Sequence, residues 1–465
     1  MSRMALRLAR FLRIAPAYLQ TVARREWRLM VLALVGLAPG VAALIAWGNL
    51  AHQLTMDGAA LGATQGTADP LLAWLLPSFL LEAIGAPGVL LGTGMVTLLI
   101  GCLGLTNAYL ASIGRRADEL ALFVSMGLSR AELMGLMLLE ALAAGLLGSG
   151  VGVLFGAILS WISWPAASAY FHLLPSFRLL SAPVWIGAFT GVLAALLFMG
   201  TAGRFAATNI VAHLRPRERE QQLNNWQEYT RTLWGAIFTG VLMLVVVLPV
   251  LPPRGALMLL GLSVGLGALL GGLGWIFAAL FGRLPTSGAM PLWTMAVQGL
   301  SRHANHTAGM VLALTAGSYG VGAAALSWLH DKPFDGLSRA LGIPFPLWVA
   351  AVILVAAASL VLTIAELAAW ERRSEFGMLM ALGARTRRIW RLVLLEYGIV
   401  ALVGGTVGSL MALINWAVAG GHGGWLWAIG IVIADLLAAI VSAWAGALPV
   451  LLRLTSRSIR ESIGG

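Results

Sequence analysis

Two acidic residues inside apolar sequence are the first candidates for chemistry. Asp435 lies near the middle of the stretch IGIVIADLLAAI, and Glu366 lies about one turn inside another apolar stretch. An ionisable side chain at membrane depth is costly, so its position is a functional candidate by default. Asp435 could contact a polar group of a substrate or a proton, or it could form a hydrogen bond between helices. Glu366 is interpreted as a structural residue that snorkels or pairs near Arg372.

Residue types that hold metals or perform covalent catalysis are sparse. His303 and His306 have no nearby carboxylate or cysteine ligands, and the one cysteine, Cys102, cannot form an internal disulfide. The sequence contains no GxxxxGK[ST] loop, so it cannot bind ATP in the manner of P-loop proteins. We therefore predict no catalytic residue, no metal site and no cofactor within the chain, which is not expected to be an enzyme.

The composition indicates that these residues belong to a membrane protein. Of the 465 residues, 59% are hydrophobic and 11% are charged, against about 45–50% and about 25% in soluble domains. Runs of the roughly 20 apolar residues needed to cross a bilayer recur along the chain. The runs do not alternate, as the strands of a β-barrel would. The sequence therefore predicts an all-α polytopic membrane helix bundle.

Ten spans and their orientation follow from the positions of the charged residues. The predicted spans are 29–49, 87–113, 138–163, 182–203, 232–251, 256–282, 307–329, 345–369, 392–419 and 424–452. With both termini in the cytoplasm, the inside segments hold 26 Lys and Arg residues and the outside segments hold four. This distribution explains most of the net charge of +11, so no nucleic-acid partner is expected. We expect a multi-pass protein of a bacterial cytoplasmic (inner) membrane. Residues 1–28 are expected to form an interfacial amphipathic helix.

The chain contains an internal repeat. Arg116–Gly152 aligns with Arg372–Gly408 at an offset of 256, and the string MVLAL at 30–34 recurs at 310–314 with an offset of 280. Matched glycine pairs in the spans predict close helix packing. These pairs are Gly148 and Gly152 in the first copy and Gly404 and Gly408 in the second. We therefore expect parallel four-span repeats at 29–215 and 291–465, joined by a cytoplasmic linker and two-span hairpin at 216–290.

Each copy begins with charged residues, continues with apolar residues and reaches a glycine. This pattern predicts a short cytoplasmic helix that ends at Gly127 or Gly383 and stays outside the bundle core. Its apolar face could dock on a soluble partner or rest flat in the headgroups; two equivalent helices favour two equivalent partner subunits. Glu140 and Glu396 are expected to begin the following spans, where the helix dipole favours negative charge. They could pair with basic residues of the short helix and transmit motion, or simply cap.

The two copies, RRADELALFVSMGLSRAELMGLMLLE and ERRSEFGMLMALGARTRRIWRLVLLE, resemble the MacB/FtsX-like permease family of type VII ABC transporters. The ten-span form resembles its BceB-like branch. The resemblance implies that the short helices couple to an ATPase through Arg116, Glu119, Leu120, Phe123, Gly127, Arg372, Glu375, Phe376, Leu379 and Gly383. It also implies a partner, a cytoplasmic ABC ATPase dimer with two copies per permease chain, that binds ATP and Mg. Residues 50–86 and 330–344 leave no room for the large extracytoplasmic domain of most members.

These features together predict a membrane permease subunit that couples ATP hydrolysis by its partner to export or extraction of a lipophilic or amphipathic substrate. Such a substrate would enter from the membrane, which makes membrane lipid a further partner. The sequence leaves open whether a periplasmic or second membrane partner is also required. One alternative is an ATP-powered signalling permease that passes a conformational change to a partner. The other is an ion-coupled secondary carrier.

Overall fold

The chain is an all-α polytopic membrane bundle. The computed structural model describes residues 27–60, 116–171, 177–213, 291–302, 304–330, 345–371, 378, 380, 383–418 and 425–456, and individual positions between 90 and 109. Within this part the chain forms nine helices and no strand. They are α1 (Trp27–Ala60), α2 (Ala117–Ser125), α3 (Arg130–Tyr170), α4 (Ser181–His213), α5 (Pro291–Arg302), α6 (Ala304–His330), α7 (Phe345–Glu371), α8 (Thr386–Val418) and α9 (Trp425–Ser456).

Five of the described helices contain a stretch that is long and apolar enough to cross a membrane. These stretches are Leu34–Leu54, Ala131–Ser168, Ser181–Gly200, Thr386–Ile414 and Trp425–Leu448. The predicted spans 307–329 and 345–369 coincide with α6 and α7. The predicted span 87–113 is described only at individual helical positions. The predicted hairpin spans 232–251 and 256–282, and most of the N-terminal amphipathic helix, lie outside the described residues.

The predicted glycine pairs bring helix backbones into contact in both halves. A Cβ atom added to Gly152 of α3 would lie 2.6 Å from Cβ of Val41 in α1. A Cβ atom added to Gly408 of α8 would lie 2.5 Å from the backbone oxygen of Thr315 in α6. Neither position can hold a larger residue unless the helices separate. Small residues therefore set the α1–α3 and α6–α8 distances, as is typical of helices packed in lipid.

Equivalent contacts give the true register of the repeat. Gly148 packs against Leu37, and Gly404 packs against Leu314. The first spans of the two halves are therefore offset by 277 residues, three fewer than the MVLAL string predicts. Three residues are close to one helical turn, so the string falls on nearly the same face but one turn away. A five-residue string of common apolar residues does not fix a register.

The two halves meet where α7 packs against α1. Trp47 of α1 is fully buried and lies in one apolar cluster with Val349 and Ile353 of α7. Trp164 near the end of α3 belongs to the same cluster and forms an edge-to-face contact with Phe177. The junction between the halves is therefore built largely from bulky apolar side chains, whereas the α1–α3 and α6–α8 pairs also make close backbone contact at glycines.

We expect Gly152→Ala and Gly408→Ala to destabilise the bundle, because each added methyl group collides with a neighbouring helix. Overpacking of this kind costs about 1–3 kcal/mol. Gly150→Ala is the matched control, since Gly150 lies in the same helix as Gly152 and has no neighbour within 4 Å. It should be neutral or stabilising by up to about 1 kcal/mol. Thermal unfolding midpoints in lipid nanodiscs measure the difference, and equal midpoints for Gly150→Ala and Gly152→Ala would contradict the packing.

Candidate functional site

The short helix α2 ends at a glycine, as predicted. Gly127 has a φ of 89°, in the left-handed region that favours glycine. Its N–H donates to the carbonyl oxygen of Val124 at 3.0 Å, and the N–H of Leu128 donates to that of Phe123 at 3.1 Å. These two bonds form a Schellman motif, which ends the helix and turns the chain back toward α3.

The second copy ends in the same way. Gly383 has a φ of 90°, and its N–H donates to the carbonyl oxygen of Met380 at 3.0 Å. Met380 stands 256 residues after Val124, so the hydrogen bond repeats at the offset of the sequence repeat. Four further residues predicted for the second coupling helix lie outside the described residues. They are Arg372, Glu375, Phe376 and Leu379.

One side of α2 packs against its own bundle, contrary to the expectation from the sequence. Leu120 is only 2% exposed and belongs to a core cluster with Leu133 and Met137 of α3. Phe123 and Val124 pack against the same cluster. The expectation that the helix stays outside the core is therefore wrong. An amphipathic pattern shows that one face seeks apolar contact but does not show whether the bundle or a partner supplies it.

The opposite side of α2 is exposed and carries large apolar side chains beside a charged one. Leu122 is 59% exposed, and Met126 and Glu119 are also exposed. In the second copy Met378, the counterpart of Leu122 at the offset of 256, is 65% exposed. We define Leu122, Met126 and Met378 as the coupling surface. In both copies this surface points away from a residue that packs on the core, namely Val124 or Met380.

A buried ion pair ties the start of α2 to α3. Nη2 of Arg116 donates to Oε1 of Glu140 at 2.7 Å, and the two side chains are 8% and 9% exposed. The pairing predicted for Glu140 with a basic residue of the short helix is therefore present. Glu396, the counterpart of Glu140, is also buried. Arg372, the counterpart of Arg116, lies outside the described residues.

Glu140 does not begin its helix. α3 starts at Arg130, so Glu140 lies nearly three turns inside it, and Glu396 has the same place relative to Thr386 in α8. The cap of α3 is formed by Ser129, whose hydroxyl accepts from the backbone N–H of Glu132 while Glu132 accepts from the backbone N–H of Ser129. The S-x-x-E spacing of this capping box is a sequence signal that could have placed the start of α3.

Asp435 forms a hydrogen bond between helices, one of the two alternatives that the sequence left open. The side chain is 3% exposed, and Oδ2 accepts from the hydroxyl of Ser409 in α8 at 2.6 Å. A Cβ atom added to Gly322 of α6 would lie 3.4 Å from Oδ2. The carboxyl group is thus enclosed by three helices. Glu366 lies in α7, and its side chain is outside the described residues.

A set of polar contacts in the C-terminal half of α1, which we call the clasp, was not predicted from the sequence. It joins Asn49 and Gln53 to the backbone of the loop at Arg178 and Leu180. Nδ2 of Asn49 donates to the carbonyl oxygen of Arg178 at 3.2 Å, and Oδ1 of Asn49 accepts from the N–H of Leu180 at 3.0 Å. Nε2 of Gln53 donates to the same carbonyl oxygen of Arg178. Asn49 and Gln53 are one turn apart in an apolar helix, and that spacing is the signal that could have identified the clasp. It fastens α1 to the loop between α3 and α4.

The described residues contain no group of three or more histidine, cysteine, aspartate or glutamate side chains that could hold a metal. The site therefore consists of the two exposed coupling elements and of the buried contacts that attach them to the bundle.

Comparison with known proteins gives one family. The model described as FtsX-like permease C-terminal matches residues 91–212 and 347–459, about half of the chain. The two matched segments begin 256 residues apart, which is the offset of the repeat, and each contains one of the two left-handed glycines, Gly127 or Gly383, and the two long helices after it. Neither the curated proteins nor the solved structures give a match.

We expect Glu140→Ala to destabilise the packing of α2 against α3, because the buried guanidinium group of Arg116 loses the carboxylate of Glu140. Breaking a buried pair costs about 3–5 kcal/mol. The swapped pair Arg116→Glu with Glu140→Arg should recover a large part of the loss, whereas either charge reversal alone should not. Protease cleavage after α2, measured on the full chain in nanodiscs, reports the loosening. Additive effects of the two reversals, with no recovery, would disprove the pairing.

We expect Ser409→Ala to lower the thermal midpoint by the equivalent of about 1–2 kcal/mol, because the buried carboxyl group of Asp435 loses its donor. Asp435→Asn should cost less, since an amide oxygen can still accept from Ser409. Thr406→Ala is the matched control, because that hydroxyl donates to carbonyl groups of its own helix. An Asp435→Asn variant with an unchanged midpoint but no substrate-dependent activity would instead favour a substrate contact.

Proposed function

This chain belongs to the FtsX-like permease family, and from that premise we propose that it couples ATP hydrolysis by a separate cytoplasmic ATPase to export or extraction of a lipophilic or amphipathic substrate. The family implies an ABC-type permease subunit in a multi-pass membrane protein. Members generally work with a cytoplasmic ABC ATPase. The observation that carries the proposal is the pair of equivalent exposed residues, Leu122 and Met378, at the two glycine-ended elements.

One permease chain would serve two ATPase subunits. The two coupling elements end in the same left-handed glycine and expose an apolar side chain at the same position. Two equivalent surfaces suit two copies of one partner, which would bind ATP and Mg between them. In this arrangement the permease itself needs no nucleotide-binding residue.

Motion of the ATPase would enter the membrane through α3. Leu120 and the Arg116–Glu140 pair fasten α2 to α3. α3 is one continuous helix of 41 residues, about 60 Å long at 1.5 Å per residue. A displacement applied at Leu122 would therefore reach the far side of the bilayer, and the glycine contacts with α1 would carry that helix along.

The proposed cargo class rests on the outer faces of the helices. Large apolar side chains are exposed along α3 and α9, near the start of α4 and in the second half of α8, among them Phe155, Trp185 and Leu437. A molecule that dissolves in lipid can reach such faces laterally. α1 continues to Ala60, which shortens the predicted outer segment 50–86 further and favours cargo that arrives through the membrane.

Transmission to a partner outside the membrane is the second candidate. The clasp of Asn49 and Gln53 on the loop at Arg178 favours it, because movement of α1 would displace this loop directly. Arg178 and Leu179 are exposed there and could contact a periplasmic or second membrane protein. This function uses the same ATPase and the same coupling surface, and differs in what moves at the outer end.

We place the coupling surface in the cytoplasm of a bacterial cell, with both termini on the same side of the inner membrane. The distribution of 26 inside and four outside Lys and Arg residues supports this orientation. The two matched family segments support two four-span repeats, with residues 216–290 as the linker and hairpin between them.

We expect the double variant Leu122→Glu with Met378→Glu to lose most of the ATPase association, because each glutamate puts a charge into an apolar contact. Met295→Glu is the matched control, since Met295 is an exposed methionine on α5, outside the coupling surface. The measurement is native mass spectrometry of the full chain purified from its own membranes, together with ATP hydrolysis by the purified complex. Wild type should carry two ATPase copies.

The single variants separate the two copies of the surface. Each one should leave at most one ATPase subunit firmly bound and should lower ATP hydrolysis at least about tenfold, because two nucleotide-binding subunits must close together. Normal ATP hydrolysis in the double variant would reject the coupling surface. Substrate movement driven by an ion gradient, with no ATPase in the complex, would identify a secondary carrier instead.

A further inference from the structure

The two copies of the repeat differ sharply in charge directly after the coupling element. Residues 385–391 of the second copy read RTRRIWR and carry four positive charges. Residues 129–135 of the first copy read SRAELMG, in which one positive and one negative charge cancel. All four arginines of the second copy are exposed. We define Arg385, Arg387, Arg388 and Arg391 as the basic patch.

Helix stability does not explain the basic patch. The N-terminus of a helix carries a partial positive charge, so cations in the first turn are unfavourable. α3 also begins with an arginine, Arg130, but offsets it with Glu132 in its first turn and with a capping box. α8 has no acidic residue in its first turn and places Arg387 and Arg388 there. The patch therefore weakens its own helix end unless an external anion compensates it.

The basic patch lies at the level of a membrane surface. The apolar stretch of α8, Thr386–Ile414, has 29 residues and is about 43 Å long at 1.5 Å per residue. A bilayer with its headgroups is about 40–45 Å thick. The first residues of this stretch therefore lie among headgroups. Trp390, half-buried beside the arginines, is a residue type enriched at that level.

Two of the arginines share the lipid-facing side of α8. Leu402 is exposed on this helix at membrane depth. Arg391 precedes it by 11 residues and Arg388 by 14, close to three and four full turns. Arg388 and Arg391 therefore lie on the same face of α8 as the exposed Leu402, a face that is open to surrounding lipid.

From these observations we propose that the basic patch binds the phosphate groups of anionic phospholipids, and that the first copy of the repeat has no such site. Guanidinium groups bind phosphate oxygens in a bidentate manner, and clusters of basic residues next to a membrane span attract anionic lipids. The bound lipid neutralises the charges at the start of α8. It anchors one half of the permease to one leaflet, next to the second coupling element.

The test compares two equivalent positions in the full chain. Leu395 of α8 and Leu139 of α3 are counterparts at the offset of 256, and both are half-buried. A photo-crosslinking benzoylphenylalanine is placed at one or the other. Each protein is reconstituted into vesicles of equal parts phosphatidylglycerol and phosphatidylcholine, and the lipid adducts are identified by mass spectrometry.

We expect the ratio of phosphatidylglycerol to phosphatidylcholine adducts to be at least about fivefold higher at position 395 than at position 139. Changing Arg387, Arg388 and Arg391 together to Gln should lower the ratio at 395 to that at 139, while the corresponding change to Lys should retain a preference. The comparison in the otherwise unchanged chain does not require the glutamine variant to fold.

Equal ratios at the two positions in the chain with all four arginines would overturn the proposal, and so would a ratio at 395 that survives the glutamine changes. In the complex purified with its ATPase, an adduct at 395 to the ATPase chain instead of to lipid would assign the patch to protein docking and also overturn it. The lipid result does not depend on which ATPase or cargo the permease uses, so it stands or falls separately from the proposed function.

Discussion

Backbone contact at glycines is the constraint on which this bundle depends. Lipid is as apolar as the helix surfaces, so no hydrophobic force draws two spans together, and close van der Waals packing must hold them. At Gly152 and Gly408 the neighbouring helix occupies the space that a side chain would need. Such a contact fixes both the distance and the register of two helices. It also explains why equivalent glycine contacts recur in the two halves, with α1 and α6 offset by 277 residues and α3 and α8 offset by 256 residues.

The attachment of the coupling element follows from this packing. Because α1 and α3 are held together at glycines, a force on α3 acts on the pair as a unit. Leu120 supplies apolar contact between α2 and this unit, and the Arg116–Glu140 pair supplies a directional one. The ion pair is buried, so solvent does not weaken it as it would a surface pair. The exposed side of α2 is then free to be apolar without being part of the core.

The sequence predicted the features that repeat and missed those that depend on context. The glycine-ended helix, the glycine pairs and the partner type of Glu140 were predictable, because each requires a particular residue at a particular spacing. The burial of Leu120 was not, since an apolar helix face looks the same whether it packs on its own bundle or on a partner. Asp435 could not be assigned from sequence because its partner, Ser409, is distant along the chain and is an ordinary residue of a membrane helix.

The two halves share their helix packing but differ in their buried polar residues. Gly191 of α4 packs against Ser149 of α3, and Ala439 of α9 packs against Gly405 of α8, the counterpart of Ser149, so α4 and α9 are offset by 248 residues. At this offset the buried position Gly187 corresponds to Asp435. The counterpart of Ser409 is Val153. The buried carboxyl and its donor are therefore present together in the second half and absent together from the first, as the cost of an unpaired buried polar group requires. A single chain that contains both repeats can specialise one of them in this way, because the glycine contacts of α3 with α1 and of α8 with α6 lie at other positions and are kept in both halves.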